Sequence, residues 1–229
     1  MSITIFTDGS SRGNPGPGGW GAIIRTDDEV IELGAGEKMT TNNKMELSAA
    51  INALAYVDEN DLEGKIVLQS DSKYVIQGIT EWVKGWQRNG WKTAAKKDVG
   101  NRELWEALHL VAEGLDIEWR YVQGHAGHPG NERCDEIATA MADGIDPELF
   151  KGARKFYTVD LDAEPAVKTA KKKSSLAKAY SYVSLVDGVV LTHKTWAECE
   201  ARVKGVRGAK YKKATTPAEE AALIAEYSL

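Results

Sequence analysis

Three successive segments with the two-residue period of a strand, followed by a change to helical period, most restrict what this chain can become. Residues 3–7 alternate apolar and polar side chains before Asp8-Gly9 and a run rich in Gly, Asn and Pro from Gly13 to Gly19. Trp20–Thr26 and Val30–Lys38 repeat the strand pattern, with Asp27-Asp28-Glu29 between them as a hairpin turn. An antiparallel meander follows. From Thr40 the period lengthens: Met45, Leu47, Ile51, Leu54 and Ala55 recur at helical spacing, and Thr41 or Asn42 can cap the start. Lys65–Gln69 reads as a short buried strand and Leu115–Val122 as another; Ser72–Ile79, Glu81–Arg88, Arg102–Glu113 and about Asn131–Ala142 read as helices. A meander continued by strands that helices separate predicts an α/β fold, a mixed five-stranded sheet flanked by helices.

The pattern then stops and starts again. It weakens after Asp143, and Ala163–Lys178 is rich in Ala, Lys, Pro and Ser with almost no large apolar residue, the composition of a linker. Tyr180–Val186, the turn Asp187-Gly188 and Val189–Thr192 then predict a hairpin. Thr195-Trp-Ala-Glu198 has the form of a capping box, Ala209–Ala214 reads as a third strand, and Thr216-Pro217 opens a last helix. The expected organisation is a domain over residues 1–145, a basic flexible linker over 146–178, and a small ββαβα domain over 179–229.

Charge divides the chain in the same place. Of the 229 residues, the first 150 carry 14 Lys and Arg against 25 Asp and Glu, while the remainder carry 15 against 9. The basic part is where a polyanion would be drawn. Two cysteines, Cys134 and Cys199, give no support to a disulfide framework, and no apolar run approaches the roughly 20 residues that span a bilayer. Without an export signal at the start, the chain is expected to be cytoplasmic, with no membrane partner.

Four acids sit where loops or helix starts would bring them together. Asp8 ends the first strand, Asp71 follows Lys65–Gln69, Glu46 lies in the first turns of the first long helix, and Asp135 lies near the start of the helix over 131–142. Clustered carboxylates raise one another's pKa, so such a group persists by binding a cation or sharing a proton. Mg²⁺ suits oxygen ligands and keeps positions for water and phosphate; two such ions suit phosphodiester cleavage. Spacing alone also leaves helix caps and solvated charges open, because the chain has 34 acidic residues.

The surrounding residues decide between these. Thr7-Asp8-Gly9-Ser10 through Gly19, Thr40-Thr41-Asn42-Asn43-Lys44-Met45-Glu46-Leu47, Ser70-Asp71-Ser72-Lys73-Tyr74-Val75, Gly124-His125-Ala126-Gly127-His128-Pro129 and Asn131-Glu132-Arg133-Cys134-Asp135 occur in unbroken order. Together they resemble type 1 ribonuclease H over about residues 1–145. The resemblance implies an endoribonuclease that hydrolyses the RNA strand of RNA–DNA hybrids and leaves 5′-phosphate and 3′-hydroxyl ends. It implies that Asp8, Glu46, Asp71 and Asp135 hold two Mg²⁺ ions, with Mn²⁺ as an alternative, and that His125 assists proton transfer to the leaving group or product departure.

The same resemblance assigns substrate contacts. Asn14, Asn42, Asn43 and Lys73 would face ribose 2′-OH groups, and Thr41 with Asn101 would bind a DNA phosphate. Met39 stands where many relatives carry Arg, which predicts a weaker phosphate pocket. Trp82-Val-Lys84-Gly-Trp86-Gln-Arg88-Asn-Gly-Trp91-Lys92-Thr-Ala-Ala-Lys96-Lys97 is similar to the family's basic protrusion, with Trp82 and Trp86 packing on deoxyribose. The final segment resembles the hybrid-binding, or viroplasmin-like, domain, which relatives usually place before the catalytic one. Tyr182, Trp196 and Tyr211 would offer faces to sugars, Lys212 and Lys213 would bind phosphates, and the segment would tether the hybrid. Double-stranded RNA is a second ligand class for it, and the chain is expected to be a monomer.

Overall fold

The computed structural model describes residues 2–124, 126–163, 179–206 and 208–228. The chain divides into two compact units, 1–167 and 168–229. In the first unit β1 (Ser2–Ser11), β2 (Gly16–Arg25) and β3 (Glu29–Thr40) form the expected antiparallel meander. Helix α1 (Asn42–Glu59) leads to β4 (Lys65–Ser70), which lies parallel to β1. Helix α2 (Lys73–Gln77), one π turn over Gly78–Trp82 and α3 (Val83–Arg88) run on continuously, so the two helices expected there are joined end to end. Helix α4 (Arg102–Ala112), β5 (Ile117–Tyr121) and α5 (Pro129–Ala142) complete the expected elements.

Alternation along the strands sorts the core into two layers. Ile3 and Ile5 of β1 face one way, into a cluster with Leu47, Leu54, Val57 and the fully buried Trp105 and Leu108 of α4. Phe6 faces the other way, packing with Ile23, Val30 and Cys134 of α5. Glycine lets both long helices sit close to the strand backbones. A Cβ on Gly9 would lie 2.3 Å from the backbone nitrogen of Glu46 in α1, and one on Gly21 would lie 2.5 Å from the carbonyl oxygen of Cys134 in α5. No side chain fits at either point, and each point adjoins one of the four acids.

Two expectations are corrected. The sheet has six strands, not five, in the order β5-β4-β1-β2-β3-β6, because β6 (Lys151–Ala153) adds antiparallel to β3. Three residues are too few to carry a readable period. The first part of the linker expected over 146–178 is instead packed: Phe150, Tyr157, Val159 and Leu161 lie against Phe6, Val30 and Cys134. Asp162 pairs with Arg25 and Arg154. Residues 164–178, the rest of that expected linker, lie outside the described residues.

The second unit follows the ββαβα expectation. β7 (Ser181–Val186) is flanked by β8 (Val189–His193) and β9 (Lys210–Ala214), with α6 (Trp196–Val203) and α7 (Pro217–Tyr227) completing it. Thr195 and Glu198 form the capping box, and Val183, Ala214 and Leu223 form a small core. Among the described residues no helix is long and apolar enough to cross a membrane.

Candidate active site

The register of the parallel pair brings the first two acids together. Thr7 of β1 is paired with Ser70 of β4, so Asp8 and Asp71 leave the same edge of the sheet side by side. Thr41 caps α1 by accepting from the Lys44 N–H, which puts Glu46 one turn into the helix and over Gly9. One carboxylate oxygen from each of Asp8, Glu46 and Asp71 lies within 4.8 Å of the other two. Asp135, on α5, lies outside that set, yet its charge reaches Asp8.

Each of the three is held by a specific donor. The Gly9 N–H donates to Asp8 Oδ1 at 2.7 Å, the Asn42 amide to Glu46 Oε1 at 3.2 Å, and the Asn131 amide to Asp71 Oδ2 at 3.3 Å. Burial, and then the charges of Asp71 and Asp135, push Asp8 up to about 8. Glu46 is raised well above its ordinary value by burial first and then by Asp8 and Asp71. Glu46 Oε2 is buried and has no protein partner. A buried carboxylate oxygen without a hydrogen bond, on one of three acids that meet, lacks a positive charge, and a hard divalent cation with oxygen ligands supplies one. The donor set fits such an ion. Asp8, Glu46 and Asp71 are the residues that could hold it, with Asp135 beside them.

The other residues expected to contact substrate have surroundings of their own. Asn14 and Asn43 are exposed, as is Lys73, whose Nζ stands 5.5 Å from the centroid of the Tyr121 ring. Met39 is 69% exposed. Asn101 adopts a left-handed conformation at the N-cap of α4 and donates its amide to the Tyr74 hydroxyl, which also accepts from Trp105 Nε1. Trp82 and Trp86 are half-buried in a chain of rings: Trp86 lies 5.7 Å from Trp82, 6.5 Å from Trp91 and 5.6 Å from Trp105. Trp91 is core. The expected role of His125 falls on a residue outside the described ones.

One residue was not singled out from the sequence. Asn131 orients Asp71, and its signal was spacing, because it lies four residues before Asp135 and hence on the same helical face. In the second unit Trp196 stands between Tyr182 at 5.6 Å and Tyr211 at 5.4 Å. Register separates the two expected lysines. Lys213 pairs with Tyr182 and shares its face with Tyr211, whereas Lys212 pairs with Val183 on the opposite face, 4.0 Å from Glu226.

Residues 1–143 match the family model described as RNase H. The chain belongs to the ribonuclease H family. It is a nuclease, and the general reaction of ribonucleases H is endonucleolytic cleavage of RNA in RNA–DNA hybrids with divalent metal. Residues 192–222 match the model described as the ribonuclease H1 N-terminal domain, here at the other end of the catalytic part. A protein of Brucella anthropi named ribonuclease H is 52% identical over 152 residues, covering 66% of this chain and 95% of its own. A ribonuclease H of Bradyrhizobium sp. (strain ORS 278) is 55% identical over 136 residues, covering 59% and 86%. Among solved structures, LC9-RNase H1, described as a type 1 RNase H with the type 2 active-site motif, superposes with a TM-score of 0.59 at 31% identity, covering 66% of this chain and 77% of that one. The N-terminal RNase H domain of a Mycobacterium tuberculosis protein gives 0.52 at 25% identity, covering 63% and 95%.

Proposed function

We propose that Asp8, Glu46, Asp71 and Asp135 hold two Mg²⁺ ions and that the chain cuts the RNA strand to 5′-phosphate and 3′-hydroxyl ends. The observation that carries this reading is the meeting of three carboxylates within 4.8 Å, two of them raised and one with a buried, unpartnered oxygen. Mg²⁺, when bound, supplies an acidified water and a counter-charge for the departing 3′ oxygen.

The chain's own residues supply position and selection. Asn42 fixes one oxygen of Glu46 and Asn131 fixes Asp71, so the ligand oxygens are oriented before an ion arrives. Asn14, Asn43 and Lys73 receive the ribose 2′-OH groups, and this is what selects RNA on one strand. Thr41 and Asn101 bind a phosphate of the DNA strand, while Trp82 and Trp86 pack on its sugars. His125 assists proton transfer to the leaving oxygen or the departure of product. In the second unit the row Tyr182–Trp196–Tyr211 with Lys213 is the face that holds the hybrid, and Lys212 contributes charge from the other side. Tethering raises the hybrid's concentration at an otherwise acidic catalytic unit. The same face accepts double-stranded RNA, and one chain suffices for all of these contacts.

Asp8→Asn tests the reading. Cleavage of an RNA–DNA duplex should fall by roughly a thousandfold or more, while hybrid binding measured by anisotropy persists. Retained turnover, or equal cleavage of RNA–DNA and DNA–DNA duplexes in Mg²⁺, would defeat it.

A further inference from the structure

The RNase H match ends at residue 143, but the first unit does not. Residues 148–162 cross from the end of α5 to β3 and close over a buried charge. Glu32 of β3, whose side chain is 1% exposed, accepts from Arg133 Nε at 2.8 Å and Nη2 at 2.9 Å. It also accepts from the Tyr157 hydroxyl at 2.6 Å and the Phe150 N–H at 3.0 Å. Arg133 gives a further bond to the Glu148 carbonyl at 3.2 Å. Burial works against the ionised Glu32, but Arg133, Tyr157 and the Phe150 N–H more than offset it and hold the group below its ordinary value.

These contacts fall beside the acids. Arg133 and Cys134 immediately precede Asp135, and Asn131, which holds Asp71, is two residues further back. On the apolar side Phe150, Tyr157, Val159 and Leu161 pack with Cys134 and with Phe6, two residues before Asp8. A bidentate arginine on a buried carboxylate fixes direction as well as distance, so the helix can neither rotate nor slide without breaking it.

We infer that residues 148–162 are a strap belonging to the catalytic unit, and that Tyr157 and Glu32 are positioning residues which set Asp135 through Arg133. Tyr157 closes the last acceptor position on Glu32, so the guanidinium has one orientation. The inference rests on the proposed role of Asp135 as a metal ligand.

The test uses the full chain with Tyr157→Phe, which keeps the ring, and Glu32→Gln, which keeps the volume, beside Asp135→Asn. Mg²⁺ binding is read by calorimetry in the absence of substrate, folding by circular dichroism, and hybrid cleavage by steady-state kinetics. Both strap variants should weaken Mg²⁺ binding roughly tenfold and lower kcat to match, with KM for hybrid changed by less than about twofold. A lowered Tm with unchanged Mg²⁺ affinity and unchanged kcat below that Tm, beside a weakened Asp135→Asn, overturns the strap alone. Unchanged Mg²⁺ affinity in Asp135→Asn overturns the role of Asp135 as a metal ligand, on which the inference rests, and leaves the group of Asp8, Glu46 and Asp71 to the Asp8→Asn test.

Discussion

At the scale of the residue, the site is a balance between burial and charge. Asp8 is raised from 3.8 to about 8, by burial first and then by Asp71 and Asp135. Between those two values the folded protein keeps a proton that the unfolded chain has lost, so the sign is set: stability of the metal-free protein falls as pH rises from about 4 to about 8. Calorimetry in chelator should show Tm falling across that window. Asp8→Asn should flatten the fall, and Mg²⁺ added near pH 8 should raise the parent's Tm by several degrees, at about 2–4 °C per kcal/mol of binding. A Tm that rises with pH in chelator would contradict the assignment. The sequence named all four acids, because they sit in motif segments. It could not rank them: that Asp8, Glu46 and Asp71 form the tight set and Asp135 stands outside follows from how α1 and α5 lie on the sheet.

At the scale of the element, helices α2 to α4 form one aromatic assembly. Trp105 is fully buried, donates to the Tyr74 hydroxyl at 3.0 Å and meets Trp86 edge-on at 5.6 Å. Because Asn101 donates to the same hydroxyl, loss of Trp105 disturbs a residue expected to bind phosphate as well as the core. Trp105→Ala should cost about 3–5 kcal/mol in urea unfolding and weaken hybrid binding, whereas a loss of stability with unchanged affinity would separate the assembly from substrate. Element type was legible wherever a period ran for several turns, as in α1 and the meander. The π turn at Gly78–Trp82 was not, since the composition of Glu81–Arg88 reads as a fresh helix. β6 was hidden for the opposite reason: three residues gain their strand from pairing with β3, and nothing local encodes it.

At the scale of the whole molecule, the boundary of the catalytic unit determines what can be cut away. A fragment ending at Ile145 would uncover Phe6, Val30 and Cys134 and leave the buried Glu32–Arg133 pair without Tyr157 and the Phe150 N–H. A fragment ending at Ala163 keeps all of these. The longer fragment should cleave hybrids with lower affinity and a flatter dependence of binding on salt than the full chain, by about 0.9 in the logarithmic slope for each phosphate that the second unit no longer neutralises. The shorter one should melt at a lower temperature than the longer. An unchanged salt slope would show that the basic second unit is not the anchor. The order and type of the long elements, the two-part division and the three acids that meet, Asp8, Glu46 and Asp71, were legible in the chain itself, because period, capping and motif are properties of neighbouring residues. The sixth strand, the extent of the catalytic unit, the opposite faces of Lys212 and Lys213, and the hydrogen bond from Asn131 to Asp71 had to wait for the folded molecule. Each of these depends on strand register or on groups far apart in the chain, and the free energy that fixes them exists only once both partners are in place.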